Sequence, residues 1–271
     1  IEFDWIDTRD PENIKNHIKS NTRLVHVETP TNPLLELCDL EATAKVCKKA
    51  DVYLSVDNSF MSPYGQRPLE FGVDVVMQSS TKSLSGHSDV LGGVLTTNNE
   101  DLAERLQFML KATGGVPSPF DNWILLRSTK TLALRYQKAS DNAVELAKWL
   151  NEQKNIGRVI YPGLKSHSQQ EIARKQQRTP KGDIIYGNMI SIDLDAKQAR
   201  DHFLSQLEVF TLAESLGGVE SLVCVPYNMT HAAVPDDAKL EMGITETLIR
   251  LSIGIENFED LKSDLSKALD Q

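Results

Sequence analysis

The 271-residue sequence has few cysteines, no long apolar run and no excess of positive charge, and each shortage excludes a class of protein. No apolar run is close to the length of about 20 residues that a helix needs to cross a bilayer, so we expect no membrane partner. The formal net charge of −9 offers no basic face for nucleic acid. Cys38, Cys47 and Cys224 lack the spacing of a disulfide framework or a metal site, which favours a reducing, cytoplasmic location. His87 and His231 have no second ligand three or four residues away, so no metal site is predicted.

The rest of the composition is that of an ordinary globular protein, with 40% hydrophobic and 25% charged residues. Short apolar runs at residues 24–27, 52–56 and 73–77 predict buried strands. A helical pattern that follows Asp39 separates the first two runs, and residues 92–96 add a further strand. This alternation predicts an α/β fold whose sheet is mainly parallel and carries helices on both faces.

The pattern changes in the second half of the chain. From Tyr136 the apolar positions keep helical spacing and predict a long helix. We therefore predict a large domain over residues 1–136 and a smaller C-terminal α/β domain over residues 137–271. In the smaller domain, residues 190–194 and 249–253 alternate apolar with polar side chains. Such alternation is typical of a sheet with one solvent-facing side.

Two charged residues follow neighbouring strands of the predicted large-domain sheet. Lys82 comes shortly after the strand at residues 73–77, and Asp57 ends the strand before it. Open α/β sheets bind ligands outside the carboxyl ends of their strands, so we expect the amine and the carboxylate at one edge. Together they fit pyridoxal phosphate (PLP), which takes a lysine at its aldehyde and an acidic partner at its pyridine nitrogen. A surface lysine and a turn-capping aspartate are the alternatives, and the pairing favours the cofactor.

Four further residues have polar groups that suit such a site. Ser79 and Thr81 precede the lysine with hydroxyl groups that can bind a phosphate, although loops are rich in such residues. Asn32 follows the first strand, where it either donates to the ring oxygen of the cofactor or belongs to a proline-rich turn. Arg250 has the planar fork that holds a substrate carboxylate through two bonds. Its alternative is a salt bridge on the solvent-facing side of a sheet.

Most of these residues lie in segments that follow one another in the same order in a known family. The segments are Glu28–Pro33, Val56–Tyr64, Gln66–Leu69, Ser79–Lys82, Gly86–Asp89, Val116–Pro119, Lys130–Leu132, Tyr161–Leu164, Leu212–Leu222, Met229–Ala232 and Leu248–Ser252. They extend through nearly the whole chain. In them the sequence resembles the Cys/Met-metabolism family of fold-type I PLP-dependent enzymes.

The resemblance implies one site that holds the cofactor and a small amino-acid substrate. Its catalytic and cofactor-binding residues would be Lys82, Asp57, Ser79, Thr81 and Asn32, and its substrate-binding residues Arg250, Ser215 and Glu214. By the same resemblance, Lys82 attaches the cofactor and then moves protons, and Ser215 orients that lysine and counts among the catalytic residues. The family also implies a homo-oligomer, a tetramer built from dimers.

Within the family, Met61–Tyr64 and Gln66–Leu69 favour the members that cleave cystathionine to cysteine, 2-oxobutyrate and ammonia. One alternative is γ-synthesis of cystathionine from cysteine and an activated homoserine, or another lyase reaction of the family. The other is a catalytically incompetent unit that serves only folding or oligomerisation, because the chain opens without a methionine and is expected to lack the family's amino-terminal segment. Ser83, Ser85 and Tyr227 depart from the family's residues and are expected to alter the pocket wall or the choice of substrate.

Overall fold

The computed structural model describes residues 1–270 and contains two β-sheets and ten α-helices. The strands are β1 (Leu24–Glu28), β2 (Tyr53–Asp57), β3 (Val75–Ser79), β4 (Gly93–Thr96), β5 (Ile156–Ile160), β6 (Met189–Leu194), β7 (Thr211–Leu212), β8 (Leu222–Cys224) and β9 (Leu248–Ser252). The helices are α1 (Pro11–His17), α2 (Leu40–Lys49), α3 (Ser62–Gly65), α4 (Glu100–Thr113), α5 (Pro119–Thr129), α6 (Leu132–Leu150), α7 (Gln170–Gln176), α8 (Lys197–Gln206), α9 (Asp236–Glu241) and α10 (Phe258–Leu269). Within residues 1–270, no helix combines the length and the apolar character that crossing a membrane requires.

The first sheet has the strand order β1-β2-β3-β4 and frames the candidate site. The strands β1, β2 and β3 are parallel, and β4 pairs with β3 in the antiparallel direction. The side chain of Asp39 starts α2 by accepting a hydrogen bond from the N–H of Ala42 at 3.0 Å, and the helix then packs Leu40 into the core. The predicted α/β fold is confirmed. Strands β1 and β2 extend far enough to include Glu28 and Asp57.

The second sheet has the order β5-β6-β9-β8-β7 and is antiparallel except between β7 and β8. All five residues of β9 are buried, including Arg250. On β6, Ser191 is fully buried, and its hydroxyl donates to the carbonyl oxygen of Pro33 at 2.6 Å. The predicted solvent-facing side of this sheet is therefore wrong. That side packs on the loop that follows β1, which satisfies its polar groups without water.

Helix α6 is the long helix that the sequence pattern predicts, and it begins at Leu132 rather than at Tyr136. Its buried side chains Leu146 and Leu150 belong to the core beneath the second sheet. Near its start, the hydroxyl of Tyr136 donates to the carbonyl oxygen of Phe60, in the loop that follows β2. The helix therefore contacts residues that lie near both sheets. The domain boundary between residues 136 and 137 stays a prediction.

Candidate active site

Two carboxyl groups lie side by side at the carboxyl end of the first sheet. Glu28 and Asp57 are partners in the β1–β2 pairing, so their side chains project to the same side. Asp57 Oδ1 accepts a hydrogen bond from the N–H of Ser59 at 2.9 Å, and Glu28 Oε2 accepts one from the N–H of Asn32 at 3.3 Å. Burial raises the pKa of Glu28 to about 7, with Asp57 acting in the same direction and Asn32 and Arg250 opposing it. One carboxyl group of this pair thus titrates near neutral pH.

Lys82 lies in a π-type turn, Ser80–Leu84, that follows β3 directly. Its φ of −91° and ψ of −138° are not helical, so the turn is interrupted at the lysine. Burial lowers the pKa of Lys82, the positive charge of Arg250 lowers it further, and Glu214 opposes both. A lower pKa increases the share of the neutral amine, which is the form that attacks a carbonyl carbon.

The lysine turn is held on two sides by groups from distant loops. Ser59, in the loop after β2, accepts a hydrogen bond at 2.7 Å from the N–H of Ser79, the last residue of β3. Gly217 lies on the other side with a φ of +74°, and a Cβ there would be 2.8 Å from the backbone nitrogen of Ser83. Only glycine fits this close approach. The contact of Ser59 with the end of β3 could not be predicted from the sequence, because nothing in the pattern around a turn serine shows which strand it contacts.

The two hydroxyl groups predicted to bind phosphate differ in their bonding. Ser79 ends β3 at the edge of the sheet and is partly exposed. Thr81 Oγ1 accepts a hydrogen bond from the N–H of Gly92 at 3.0 Å and donates to the carbonyl oxygen of Gly92 at 3.4 Å. The hydroxyl of Thr81 is thus already engaged with the residue before β4, and Ser79 is the better placed of the two to receive an anion.

Arg250 is 2% exposed and points from β9 toward the first sheet. Its Nη1 donates to Asn32 Oδ1 at 2.8 Å, and its Nη2 donates to the carbonyl oxygens of Glu214 at 2.6 Å and Ser215 at 3.2 Å. All three acceptors are uncharged, so the alternative of a salt bridge on a solvent-facing side is wrong. Burial lowers the pKa of Arg250. Its Nε is buried without a hydrogen-bond partner, which leaves a donor for an anion.

The contact with Arg250 also orients the amide of Asn32. A guanidinium group can only donate hydrogen bonds, so the amide oxygen must face Arg250, and the NH₂ group faces away from it. Glu214 and Ser215 enter the site through their backbone carbonyl groups, while the side chain of Glu214 is exposed and that of Ser215 is partly buried. The structure thus brings Asn32 and Arg250 together although they are 218 positions apart.

The residues that depart from the family are engaged in local contacts. The hydroxyl of Ser85 donates to Asp89 at 2.9 Å, and Ser83 is buried in the lysine turn. Tyr227 packs in a separate apolar cluster, where the ammonium of Lys239 lies 4.0 Å from the centre of its ring. The ring of Tyr227 is therefore committed to that cluster.

The groups at this sheet edge fit pyridoxal phosphate. The cofactor requires an amine, a carboxylate, and donors for its phosphate and its ring oxygen. Asn32, Asp57 and Ser79 lie at or after the ends of three neighbouring strands, and Lys82 follows in the next turn. Since these donors and acceptors converge from adjacent strands, one small molecule can contact all of them.

The histidine, cysteine and carboxylate side chains of residues 1–270 are the ones that could form a metal site or a reactive thiol. Among residues 1–270, no group of three histidine, cysteine, aspartate or glutamate side chains is arranged to hold a metal ion. Cys38, Cys47 and Cys224 are all free and buried. Burial raises the pKa of Cys38 and of Cys47 to about 11, so both are protonated thiols at neutral pH.

Comparisons with known proteins agree with this geometry. A sequence profile described as Cys/Met metabolism PLP-dependent enzyme matches residues 1–270. The chain is 45% identical over 270 residues to cystathionine gamma-lyase of Bacillus subtilis, covering 100% of this chain and 70% of the relative. It is 43% identical over 271 residues to cystathionine beta-lyase of Lactococcus lactis, covering 100% of this chain and 70% of the relative. A crystal structure of cystathionine gamma-lyase from Lactobacillus plantarum complexed with L-serine superposes with a TM-score of 0.93 at 40% identity, covering 97% of this chain and 68% of that one.

Proposed function

Because the chain belongs to the Cys/Met metabolism family of PLP-dependent enzymes, we propose that it cleaves L-cystathionine to L-cysteine, 2-oxobutyrate and ammonia. It is a PLP-dependent carbon–sulfur lyase that resembles the cystathionine gamma-lyases. The observation that carries the proposal is the convergence of Lys82, Asp57 and the Asn32–Arg250 pair at one sheet edge.

Lys82 performs two tasks in the proposed reaction. When bound, PLP supplies an electron sink that stabilises negative charge at the α and β carbons of the substrate. The amine of Lys82 would hold the cofactor at its aldehyde and would take the proton from the substrate's α carbon. Its lowered pKa supports both tasks, since each requires the neutral amine.

Asp57 would keep the pyridine nitrogen of the cofactor protonated. Its carboxylate is fixed at the end of β2 by the N–H of Ser59, so it does not need to reorganise when the cofactor binds. Asn32 would donate from its NH₂ group to the ring oxygen of the cofactor, because its amide oxygen already accepts a hydrogen bond from Arg250. Ser79 and Thr81 would hold the phosphate, and Ser79 would make the stronger contribution because the hydroxyl of Thr81 already bonds Gly92.

Arg250 binds the carboxylate of the substrate. The carbonyl oxygens of Glu214 and Ser215 hold its Nη2, so the guanidinium stays in place before the substrate arrives. Its buried and unpartnered Nε supports this role, because an anion would complete the hydrogen bonding of the group. The segment that contains Ser215 and Glu214 then lines the substrate side of the site, with Ser215 orienting Lys82.

The test is to supply L-cystathionine and to identify the products. Formation of 2-oxobutyrate and cysteine supports the proposal, whereas pyruvate and homocysteine would establish β-cleavage, the reaction named for the Lactococcus lactis relative. Condensation of cysteine with an activated homoserine, without cleavage, would establish the synthase reaction. Absence of turnover together with absence of lysine-bound cofactor would favour the incompetent unit.

Two lysine variants make that test specific. Lys82→Ala should abolish turnover and covalent cofactor attachment together, because one amine performs both tasks. Lys45→Ala changes a lysine on the exposed side of α2 and should leave both unchanged. A borohydride-fixed cofactor on a lysine other than Lys82 contradicts the assignment.

We also propose that the protein works as a homo-oligomer. Phe108 on α4 and Phe120, Trp123 and Leu126 on α5 expose 60–68% of their surfaces, which is unfavourable unless another surface covers them. Light scattering coupled to size-exclusion chromatography measures the mass in solution. A monomer at micromolar concentration contradicts this proposal.

A further inference from the structure

Arg135 is a buried arginine whose hydrogen bonds surround the lysine turn. It lies in the first turns of α6 and is 8% exposed. Its Nη1 donates to the carbonyl oxygen of Ser83 at 2.9 Å, and its Nη2 donates to that of Leu84 at 3.3 Å. Nη2 also donates to the carbonyl oxygen of Ser128 at 3.0 Å, and Nε donates to Thr131 Oγ1 at 3.0 Å. All four acceptors are uncharged.

The partial negative charge on these carbonyl oxygens explains why a positively charged guanidinium group can be buried beside the lysine turn. The turn departs from helical geometry at Lys82, so the carbonyl groups of the next two residues need donors other than the ordinary helical ones. Ser128 lies in the last turn of α5, where the carbonyl groups carry the negative end of the helix dipole. Only the fixed fork of a guanidinium reaches both groups of acceptors at once, since a lysine has a single nitrogen.

Gly86 provides the space for the guanidinium. It has a φ of +73°, and a Cβ built on it would lie 1.9 Å from Nη1 of Arg135. The N–H of Gly86 donates to the carbonyl oxygen of Lys82 at 2.8 Å. Hydrogen bonds therefore hold the turn at three consecutive carbonyl groups. Gly86 bonds that of Lys82, and Arg135 bonds those of Ser83 and Leu84.

We infer that Arg135 is a positioning residue for Lys82: it fixes the turn and thereby the direction in which the lysine amine enters the site. This role rests on the proposed function of Lys82. Because Arg135 is on α6 and also holds the end of α5, the placement of the amine depends on how these two helices meet. The competing interpretation is that Arg135 stabilises the α5–α6 junction without affecting the lysine.

Covalent attachment of the cofactor separates the two interpretations without relying on turnover. PLP is added to the cofactor-free protein, the reaction is stopped with borohydride at set times, and the labelled lysine is identified by peptide mapping. Thermal unfolding of each variant is measured in parallel. Turnover of cystathionine then provides kcat and KM.

Arg135→Lys should remain folded and attach PLP at Lys82 at least tenfold more slowly, with a similar loss in kcat and a KM within threefold of the unaltered protein. Thr131→Val removes two hydrogen bonds, the one that its hydroxyl accepts from Nε of Arg135 and the one that it donates to the carbonyl oxygen of Ser128 at 3.1 Å. It should slow attachment by about two- to fivefold. The controls are Arg127→Lys, at an exposed arginine of α5, and Thr129→Val, whose hydroxyl bonds Leu126 instead. Neither control should change the attachment rate.

Normal attachment rates in Arg135→Lys would overturn the inference, even if its melting temperature falls. If Arg135→Lys does not fold, the comparison of Thr131→Val with Thr129→Val tests the inference. Slower cofactor attachment in Thr131→Val supports it, and an equal attachment rate in the two variants overturns it. Labelling of another lysine in the unaltered protein would instead refute the proposed role of Lys82, so the two failures are distinguishable.

Discussion

Glu28 permits a quantitative prediction about stability and pH. Its pKa is raised from an ordinary value of 4.5 to about 7, mainly by burial. A carboxyl group with a higher pKa in the folded protein than in the unfolded chain binds its proton more tightly when folded. Folding stability is therefore lost as the pH rises from 4.5 to about 7, and the loss is constant above that range.

The variant Glu28→Gln removes this dependence. Glutamine stays neutral and keeps an oxygen that can accept the hydrogen bond from Asn32. A pKa change of one pH unit corresponds to about 1.4 kcal/mol. Ionising Glu28 in the folded protein should thus cost about 3 kcal/mol, and somewhat less where the partly exposed side chain still contacts water.

Urea unfolding measures the effect, with both proteins free of cofactor, which is the state to which the pKa of Glu28 applies. The stability of Glu28→Gln relative to the unaltered protein should rise by about 2–3 kcal/mol between pH 5 and pH 8.5. Glu152→Gln is the matched control, because that carboxylate is exposed beyond the end of α6, and its relative stability should stay level. If the stability of Glu28→Gln relative to the unaltered protein also stays constant with pH, the Glu28 carboxylate is stabilised by its neighbours. The reasoning from burial would then be refuted.

Three further predictions concern the site itself. Asp57→Asn should lower kcat by roughly two orders of magnitude, because a neutral amide does not hold the proton of the pyridine nitrogen, and unaltered turnover would contradict that role. Arg250→Lys should raise KM for cystathionine about 10-fold or more while leaving the absorbance of the bound cofactor unchanged, since a lysine cannot replace the planar fork. A change in absorbance with normal KM would indicate a structural role instead. Gly217→Ala should destabilise the fold by about 1–3 kcal/mol and lower activity, because the new Cβ would meet the lysine turn, and a melting temperature equal to that of the unaltered protein would contradict the close approach.

Local sequence patterns were sufficient to predict the strands that position the site. Strands β2 and β3 are short apolar runs, and both the acidic residue and the lysine lie at or just beyond their carboxyl ends. Neighbouring parallel strands necessarily bring such residues to one edge, so Asp57 and Lys82 could be placed there without knowledge of any contact.

Partners that lie far apart in sequence could not be predicted in this way. The alternation in β6 and β9 correctly predicts strands, but it does not show whether the polar side meets water or another segment. Ser191 bonds Pro33 across 158 positions, and no local pattern carries that information. Arg135 was missed for the same reason: an arginine in a helix is typical of an exposed surface, and only the fold reveals its buried acceptors.

The burial of the three cysteines has a practical consequence for labelling studies. Cys38, Cys47 and Cys224 are each about 1% exposed, so maleimide reagents have no accessible thiol on the native protein. A single cysteine introduced on the exposed side of α2 or α10 would therefore carry a fluorophore or a spin label alone, with no need to remove the native residues. Two cysteines introduced together, one on each of these helices, would report the distance between the two sheets on which the helices pack.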